Sequence, residues 1–130
     1  MSELKDEENI IGVELRPGSP RTQTEMFRVP FGEVWRVMEV VSLDRPPVEV
    51  ELALHVNGVR RGAVYALTVF VGNSSKPMLD AFANHPIYHS HLAYFVATPL
   101  LPVTKSMSVK FRLTIRRSLD QMLVNRLIPL

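Results

Sequence analysis

Two stretches of the chain alternate between apolar and polar residues with a period of two. In residues 48–56 (VEVELALHV) every second residue is apolar, and in residues 106–117 (SMSVKFRLTIRR) apolar residues alternate with Ser, Lys, Arg and Thr. This alternation predicts strands with one buried and one solvated face. Such strands are typical of antiparallel sheets, because parallel strands are covered on both faces and lose the alternation.

Residues 32–43 (GEVWRVMEVVSL) predict another long strand. Its two faces are both largely apolar, which indicates a central position in a sheet. If Glu39 is buried there, we expect it to form an ion pair with Arg28 or Arg112. Strict alternation assigns the following residues to one face: Trp35, Val37, Glu39, Val41 and Leu43.

The Asn57-Gly58 pair predicts a hairpin, because both residues readily adopt the positive φ angles of a type I′ turn. We expect the return strand to span residues 59–71, with a bulge or bend at Gly62. Shorter strands are predicted at residues 10–15, 25–29 and 88–97.

Two short helices are also predicted. Around residues 74–82, a serine cap, a proline in the first turn and apolar residues at helical spacing favour one helix. Residues 118–130 begin with a capping box formed by Ser118 and Gln121, and apolar residues follow at helical spacing. An extended arm explains residues 118–130 nearly as well.

Together these elements predict an all-β protein, an antiparallel β-sandwich with one or two short helices and extended termini. Among sandwiches and barrels we favour a jelly roll, because the long connection between residues 71 and 87 suits a crossing from one sheet to the other. We expect a flexible acidic arm at residues 1–9, the sandwich at residues 10–117 and a helix or arm at residues 118–130.

The stretch FRVPFGEVWRVMEVV predicts a strand, a tight turn and a second strand. Pro30 ends the first strand, Gly32 permits the reversal, and Trp35 anchors the second strand in the core. The residues that define the pattern are Val29, Pro30, Gly32, Val34, Trp35, Arg36 and Val37. The pattern resembles a segment of β-sandwich structural proteins of tailed and icosahedral viruses. The resemblance implies a structural role in a virus particle, and it carries no catalytic residues to this chain.

Composition indicates a globular protein of 130 residues, with 46% hydrophobic and 22% charged residues. The chain has no cysteine, which excludes disulfides and thiolate metal ligands. Its acidic N-terminus is unlike a signal peptide and no apolar run reaches the length of a membrane span, so we expect synthesis in a cytoplasm and no membrane partner. A cysteine-free chain with 11 Arg and 4 Lys is also compatible with a thermophile.

Charge is distributed unevenly along the chain. Residues 1–51 hold 6 basic and 11 acidic residues, whereas residues 52–130 hold 9 basic and 2 acidic ones. We favour the explanation that strands from the two halves interleave and their charges cancel. The alternative is a molecule with complementary surfaces that steer self-association.

Three of the four histidines, His85, His89 and His91, fall within seven residues. In an extended segment His89 and His91 would point the same way, about 7 Å apart, and such a pair can bind zinc or iron, as in cupin-like barrels. However, no Asp or Glu follows before Asp120 to complete such a site. We therefore favour surface or loop histidines over a metal site and predict no cofactor, with a pH-responsive interface as a further alternative.

Other catalytic and nucleic-acid-binding patterns are weak. The sequence contains no G-x-S-x-G and no glycine-rich phosphate motif, and we expect no enzyme activity. Basic residues at 60–61 and 110–117 could follow a phosphate backbone, but no exposed aromatic residues are predicted between them. We therefore favour a solvated basic face over nucleic-acid binding.

The two ends of the chain point to assembly. Residues 1–9 are too polar to pack alone, whereas residues 121–130 (QMLVNRLIPL) are more apolar than a finished sandwich needs. We expect the C-terminal segment to cover its own sheet or to insert into a neighbouring subunit. The residues predicted for assembly are Leu123, Val124, Leu127 and Ile128, with Arg116 and Arg117 meeting acidic N-terminal residues.

The leading hypothesis is a non-enzymatic capsid, decoration or tail component of a virion, made in a host cytoplasm and bound to copies of itself and to other virion proteins. The first alternative is a carbohydrate- or ligand-binding module, which would need Tyr65, Tyr88 or Tyr94 exposed on a concave face. The second is a cupin-like metal enzyme using the three clustered histidines. Sandwiches host all three functions, so the fold alone does not choose among them.

Overall fold

The computed structural model describes residues 3–18, 21–24, 26–67, 82 and 85–120. These residues form eight strands in two four-stranded antiparallel sheets, and no helix occurs among them. The strands are β1 (Glu3–Leu15), β2 (Thr22–Gln23), β3 (Glu33–Ser42), β4 (Val50–Val56), β5 (Val59–Tyr65), β6 (Ile87–Tyr88), β7 (Ala93–Pro99) and β8 (Met107–Leu119). The predicted all-β class and antiparallel arrangement are confirmed.

The first sheet has the strand order β1-β8-β3-β6, and the second has the order β2-β7-β4-β5. Antiparallel pairs join β1 to β8, β2 to β7, β3 to β6 and β4 to β5. Two further pairs, β3 with β8 and β4 with β7, complete the sheets. The first four pairs are nested, so the outermost strands of the sequence pair with each other and the β4–β5 hairpin lies innermost.

The hydrophobic core lies between the two sheets and is built from the apolar faces that the alternation predicted. On β8, Phe111 is buried while its neighbour Lys110 is exposed. Leu52 and Leu54 of β4 and Phe95 of β7 complete the other side of the core and are also buried. Burying each of these side chains contributes roughly 1.5–3 kcal/mol relative to leaving it in water. The apolar contact between the sheets therefore holds the fold together.

Two turns predicted from the sequence are present. Asn57, with a φ of 51°, and Gly58 join β4 to β5, which confirms the hairpin. In the second turn, the Glu33 N–H donates a hydrogen bond to the Pro30 carbonyl at 3.1 Å. Gly32 has a φ of 85°, as a type II turn requires at its third residue. β3 begins directly after this turn.

A β-bulge interrupts β5 where Gly62 predicted one. Leu54 pairs with Gly62, but the next residue, His55, pairs with Arg60, which leaves Arg61 as the extra residue. Gly62 has a φ of 147°, a conformation that residues with a Cβ rarely adopt. The bulge therefore takes Arg61 out of the regular ladder.

A second bulge corrects the predicted face of β3. Val37 pairs with Ile115, and the register then shifts so that Val40 pairs with Leu113. Both valines belong to the core, although Val40 is three positions after Val37 and strict alternation would place it on the opposite face. Strict alternation beyond Val37 is therefore wrong, because one extra residue at Met38 moves every later side chain to the other face.

The shift at Met38 also changes the position of Glu39. Glu39 now lies on the face opposite Trp35, where it is half-buried. No ion pair joins it to Arg28 or Arg112, all three of which lie in the described part of the chain. The expected buried ion pair is therefore not formed.

The N-terminal segment belongs to the first sheet. Residues 1–9 were predicted to form a separate arm, but Glu3 pairs with Ser118 and Asn9 pairs with Leu113 as part of β1. β8 likewise continues to Leu119, so the predicted sandwich boundaries of 10 and 117 are both too narrow. A helix does not begin at Ser118, which is paired in β8; residues 121–130 lie outside the described residues.

Other predicted elements are shorter than expected. The strand predicted at residues 25–29 is reduced to an isolated bridge between Phe27 and Ala93. The strand predicted at residues 88–97 is divided into β6 and β7 by a turn, and β2 was not predicted. The return strand of the hairpin ends at Tyr65, and the helix predicted around residues 74–82 falls almost wholly outside the described residues.

Candidate functional site

An apolar groove of about 610 Å³ opens between the two sheets, along the edge formed by β1 and β2. These are the outermost strands of their sheets, and Thr22 Oγ1 joins them by donating to the Glu14 carbonyl at 2.8 Å. The groove begins next to this contact and is lined by residues 9–12 of β1 and by Gln23 of β2. Its apolar lining comprises Ile11, Phe27, Trp35, Phe95, Leu113 and Ile115.

Phe27 connects the two sheets at the floor of the groove. Its ring stacks against Trp35 of the first sheet, with 6.5 Å between centroids, and against Phe95 of the second, with 6.0 Å. Phe82 packs edge-on against Phe95 at 5.5 Å. Because aromatic rings bury large areas in preferred geometries, this stack fixes the spacing of the sheets at the groove.

The mouth of the groove is apolar and exposed. Ile10 is 64% exposed on one side and Met26 is 52% exposed on the other. Asn9 and Gln23 add polar groups to the lining. Within the described part of the chain, β1 pairs only with β8, so its second edge presents backbone N–H and C=O groups. An exposed apolar patch beside an open strand edge is typical of a protein-interaction surface.

A polar network lies where β1, β3 and β8 meet at the groove. Arg117 donates to Glu33 through Nε at 2.7 Å and Nη2 at 3.0 Å, and to Glu7 through Nη1 at 2.7 Å. Trp35 Nε1 also donates to Glu33, at 2.9 Å, and the Arg117 guanidinium lies 5.8 Å from the Trp35 ring centroid. The network fixes the Trp35 ring, which lines the groove.

The network shifts the ionisation of both its central groups. The Arg117 hydrogen bonds hold the pKa of Glu33 below its ordinary value, against the opposing effect of burial. The hydrogen bonds to Glu33 and then to Glu7 raise the pKa of Arg117. Sequence reasoning missed Glu33, although it stands two residues before Trp35 and so shares its strand face.

Arg116 and Arg117 meet acidic N-terminal residues within one chain. Arg116 Nε donates to Asp6 Oδ1 at 3.2 Å, and Arg117 donates to Glu7 as described above. We predicted such contacts between subunits, but β1 and β8 make them side by side in one sheet. The favoured explanation of the uneven charge is confirmed at these strands, since the acidic half of the chain pairs here with the basic half.

The outer face of the second sheet carries another polar group of side chains. Arg60 donates to Glu51 at 2.6 Å, and the Tyr65 hydroxyl donates to the same carboxylate at 3.3 Å. Hydrogen bonding to Arg60 lowers the pKa of Glu51. The His55 ring stacks on Tyr94 with 5.3 Å between centroids.

Burial and nearby positive charge lower the pKa of His55. Desolvation is the largest cause, followed by the charges of Arg60 and Arg21, while Glu51 acts in the opposite direction. The neutral form of His55 is therefore the one that the folded protein favours.

The three clustered histidines do not converge. Strand β6 ends at Tyr88, and a turn follows in which the His91 N–H donates to the Tyr88 carbonyl at 2.9 Å. The His89 ring packs edge-on against Phe31 at 4.8 Å. The segment is therefore not extended, and the parallel orientation expected of His89 and His91 is wrong. Among the described residues, no three potential ligand side chains form a group that could hold a metal ion.

The structure places the three tyrosines predicted for ligand binding but does not describe the C-terminal residues predicted for assembly. Tyr65 and Tyr94 lie on the outer face of the second sheet and Tyr88 on the first sheet; Tyr65 is 37% and Tyr88 36% exposed. The predicted assembly residues Leu123, Val124, Leu127 and Ile128 lie outside the described residues.

Comparisons with protein-family models, with curated proteins and with solved structures found no significant match to this chain. In the part of the chain that the structure describes, no helix has the length and hydrophobicity needed to cross a membrane.

Proposed function

We propose that the protein is a non-enzymatic structural component of a virus particle, a jelly-roll subunit that assembles with copies of itself. The observation that carries this proposal is the nested pairing of β1 with β8, β2 with β7, β3 with β6 and β4 with β5. Rolling up one long hairpin with these pairs gives a two-sheet jelly roll, an architecture that recurs in viral capsid domains. The segment from Val29 to Val37, which carries the resemblance to virion proteins and contains the Pro30–Glu33 turn, supports the same proposal.

Assembly uses the groove between the sheets and the open edge of β1. The groove offers an apolar surface next to unpaired backbone groups, which suits an extended apolar segment. The occupant is the C-terminal segment of a second copy, residues 121–130, whose sequence supplies Leu123, Val124, Leu127 and Ile128. A second copy of β1 paired in parallel and in register is a poor occupant of the same edge, because Asp6, Glu7 and Glu8 would then face like charges.

A deletion tests this assembly. Removing residues 121–130 keeps all of β8 and the hydrogen bond from the Asp120 N–H to the Gly32 carbonyl. We expect native mass spectrometry to show an oligomer for the full chain and a monomer for the deletion variant, with unchanged strand content by circular dichroism. A monomeric full chain, or an oligomer that survives the deletion, would contradict the proposal.

A matched pair of substitutions tests the groove itself. Ile10→Glu places a charge at the mouth of the groove, whereas Leu101→Glu places the same charge on a similarly exposed leucine (61%) that does not line it. We expect Ile10→Glu to weaken association and Leu101→Glu to leave it unchanged. Equal effects of the two variants would place the interface elsewhere.

The location and further partners follow from this proposal. The subunit is made in a host cytoplasm and functions in the virion, where it contacts other virion proteins, and no membrane or nucleic acid takes part in its assembly.

A second candidate function is binding of carbohydrate or another small ligand. Tyr65 and the His55–Tyr94 stack favour it, because they lie on one sheet face beside the Glu51–Arg60 ion pair. A glycan array tests it: binding that Tyr65→Ala abolishes would favour the ligand-binding module over the virion subunit.

A further inference from the structure

A depression of about 280 Å³ lies at the end of the sandwich where the β4–β5 hairpin meets the turn after β6. It is lined by Val56, Arg61, His85, Pro86, Tyr88 and His91. This volume is below the range typical of drug-sized ligands, so the depression suits a small molecule or ion. Neither the assembly groove nor the outer face of the second sheet includes it.

The bulge in β5 brings Arg61 to this depression. Arg60 and Arg61 are consecutive, yet Arg60 pairs with His55 in the ladder and binds Glu51, while Arg61 is the extra residue of the bulge. Bulges re-aim a side chain in this way. Arg61 forms no ion pair with any residue in the described part of the chain. Its guanidinium charge therefore lacks a protein counter-charge there.

Two histidines on either side of β6 line the depression: His85 lies two residues before the strand, and His91 lies in the turn after it. The Tyr88 N–H donates to His91 Nδ1 at 3.2 Å, so the neutral ring carries its proton on Nε2. His91 is thus a hydrogen-bond donor even when uncharged. The His85 N–H is bonded to the Phe82 carbonyl at 3.0 Å, which fixes the backbone of His85 at the depression.

The chemistry of the lining favours an anion. Arginine and imidazole N–H groups are donors, and none of the lining residues carries a carboxylate. The surrounding sequence is also poor in acids, since residues 52–130 contain only Asp80 and Asp120. A guanidinium beside imidazole donors matches the geometry and charge of a phosphate group better than that of a metal ion.

We infer that Arg61, His85 and His91 form a binding site for a small phosphate-bearing anion, either inorganic phosphate or a phosphomonoester. Two of the three clustered histidines, His85 and His91, thus bind an oxyanion rather than a metal. This inference is independent of the proposed assembly, because its residues lie outside the groove.

The four histidines provide the test, because each reports its own surroundings. We would follow their Cε1–H signals by NMR near neutral pH while inorganic phosphate replaces chloride at constant ionic strength. The signals of His85 and His91 should shift and saturate, while those of His55 and His89 stay in place. Equal shifts of all four, or none that saturates, would overturn the site.

Neighbouring arginines give a matched control. Arg61→Gln should weaken phosphate binding by at least about tenfold, whereas Arg60→Gln, which removes the same charge one residue away, should change it by less than about twofold. Equal weakening by both variants would show general charge attraction and overturn the site. His91→Asn is a second variant: its amide oxygen can replace Nδ1 as the acceptor for Tyr88 while the Nε2 donor is lost, and it should also weaken binding.

Different phosphate sources are distinguished by competition. If glycerol 3-phosphate displaces inorganic phosphate with similar or higher affinity, the ligand is a phosphomonoester; if it fails to compete, the ligand is inorganic phosphate. Binding of a single-stranded oligonucleotide at the same histidines without any response to either small anion would overturn the assignment of a small ligand.

Discussion

Asn57 and Leu92 hold each other by two hydrogen bonds. The Asn57 N–H donates to the Leu92 carbonyl at 2.8 Å, and the Leu92 N–H donates to Asn57 Oδ1 at 2.9 Å. Asn57 lies in the turn of the β4–β5 hairpin, and Leu92 lies just before β7. These bonds therefore join two turns that are distant in sequence, and they fix the position of Arg61 relative to His91.

Replacing Asn57 tests this contact. Asn57→Ala leaves the Leu92 N–H without its acceptor and forces alanine to a φ of 51°, so we expect a loss of about 2 kcal/mol in the free energy of unfolding. Asn57→Asp keeps an acceptor oxygen and tolerates this φ, and it should lose much less. Urea denaturation measures both variants, and equal losses would show that the side-chain bond adds nothing.

A pair of glycine substitutions tests the bulge in β5. Gly62→Ala should destabilise the fold by more than about 1 kcal/mol, because alanine disfavours a φ of 147°. Gly12→Ala is the control: its added Cβ would meet only Lys110 Cγ, at 3.8 Å, in a regular strand. It should be neutral or stabilise the protein by up to about 1 kcal/mol. Thermal unfolding compares the two, and a neutral Gly62→Ala would contradict the strained geometry.

Glu33 should make the fold sensitive to acid. Because its pKa is lowered in the folded protein, its stabilising effect is fully present above its ordinary pKa of 4.5 and is lost as the pH falls through the lower folded value. Glu33→Gln should cost about 1 kcal/mol at neutral pH, since the Glu33 side chain is only 13% exposed in its contact with Arg117. The variant should also show a flatter dependence of stability on pH below 4.5.

Glu14→Gln is the matched control for Glu33. Glu14 also binds an arginine, Arg16, at 3.0 Å, but both side chains are largely exposed. Exposed pairs of this kind add little to stability, so we expect no measurable change. If urea titrations across pH gave the same profile for both variants, the network around Arg117 would not be a determinant of stability.

His55 should add a second pH dependence at higher pH. Its pKa is lowered on folding, so its effect on stability is fully present above the ordinary value of 6.5 and is lost as the pH falls through the lower folded pKa. His55→Gln should flatten the stability profile in this window. A His55→Gln variant that keeps the wild-type slope would contradict this role of His55. Thermal unfolding, measured from above pH 6.5 down through the folded pKa of His55, tests this prediction.

Local features of the fold were determined by the sequence alone. Alternation identified β4 and β8, Asn57-Gly58 identified the hairpin, and Gly62 identified the bulge in β5. Each depends on the conformational preferences of a few consecutive residues, such as the positive φ that asparagine and glycine tolerate. Features of this kind can be read without knowing the strand partners.

Pairing and strand register were decided only by the tertiary structure. Asp6 and Arg116 are 110 residues apart, and no local sequence feature of β1 identifies β8 as its partner. For the same reason the acidic N-terminus was expected to be an arm, although pairing with a basic strand makes it the edge of a sheet. The bulge at Met38 could not be predicted in the same way, because no glycine marks its position. It follows from the register that pairs Val40 with Leu113 in the core.

The assembly groove and the proposed anion site also depend on both the sequence and the strand pairing. The sequence supplied apolar residues, arginines and histidines, and it placed His85, His89 and His91 together. Only folding separated His89 from the other two and brought Arg61 beside them, because the Asn57–Leu92 bonds and the bulge at Gly62 act across the sheet rather than along the chain. Side-chain chemistry is thus a property of the sequence, whereas the grouping of side chains into a site results from strand pairing.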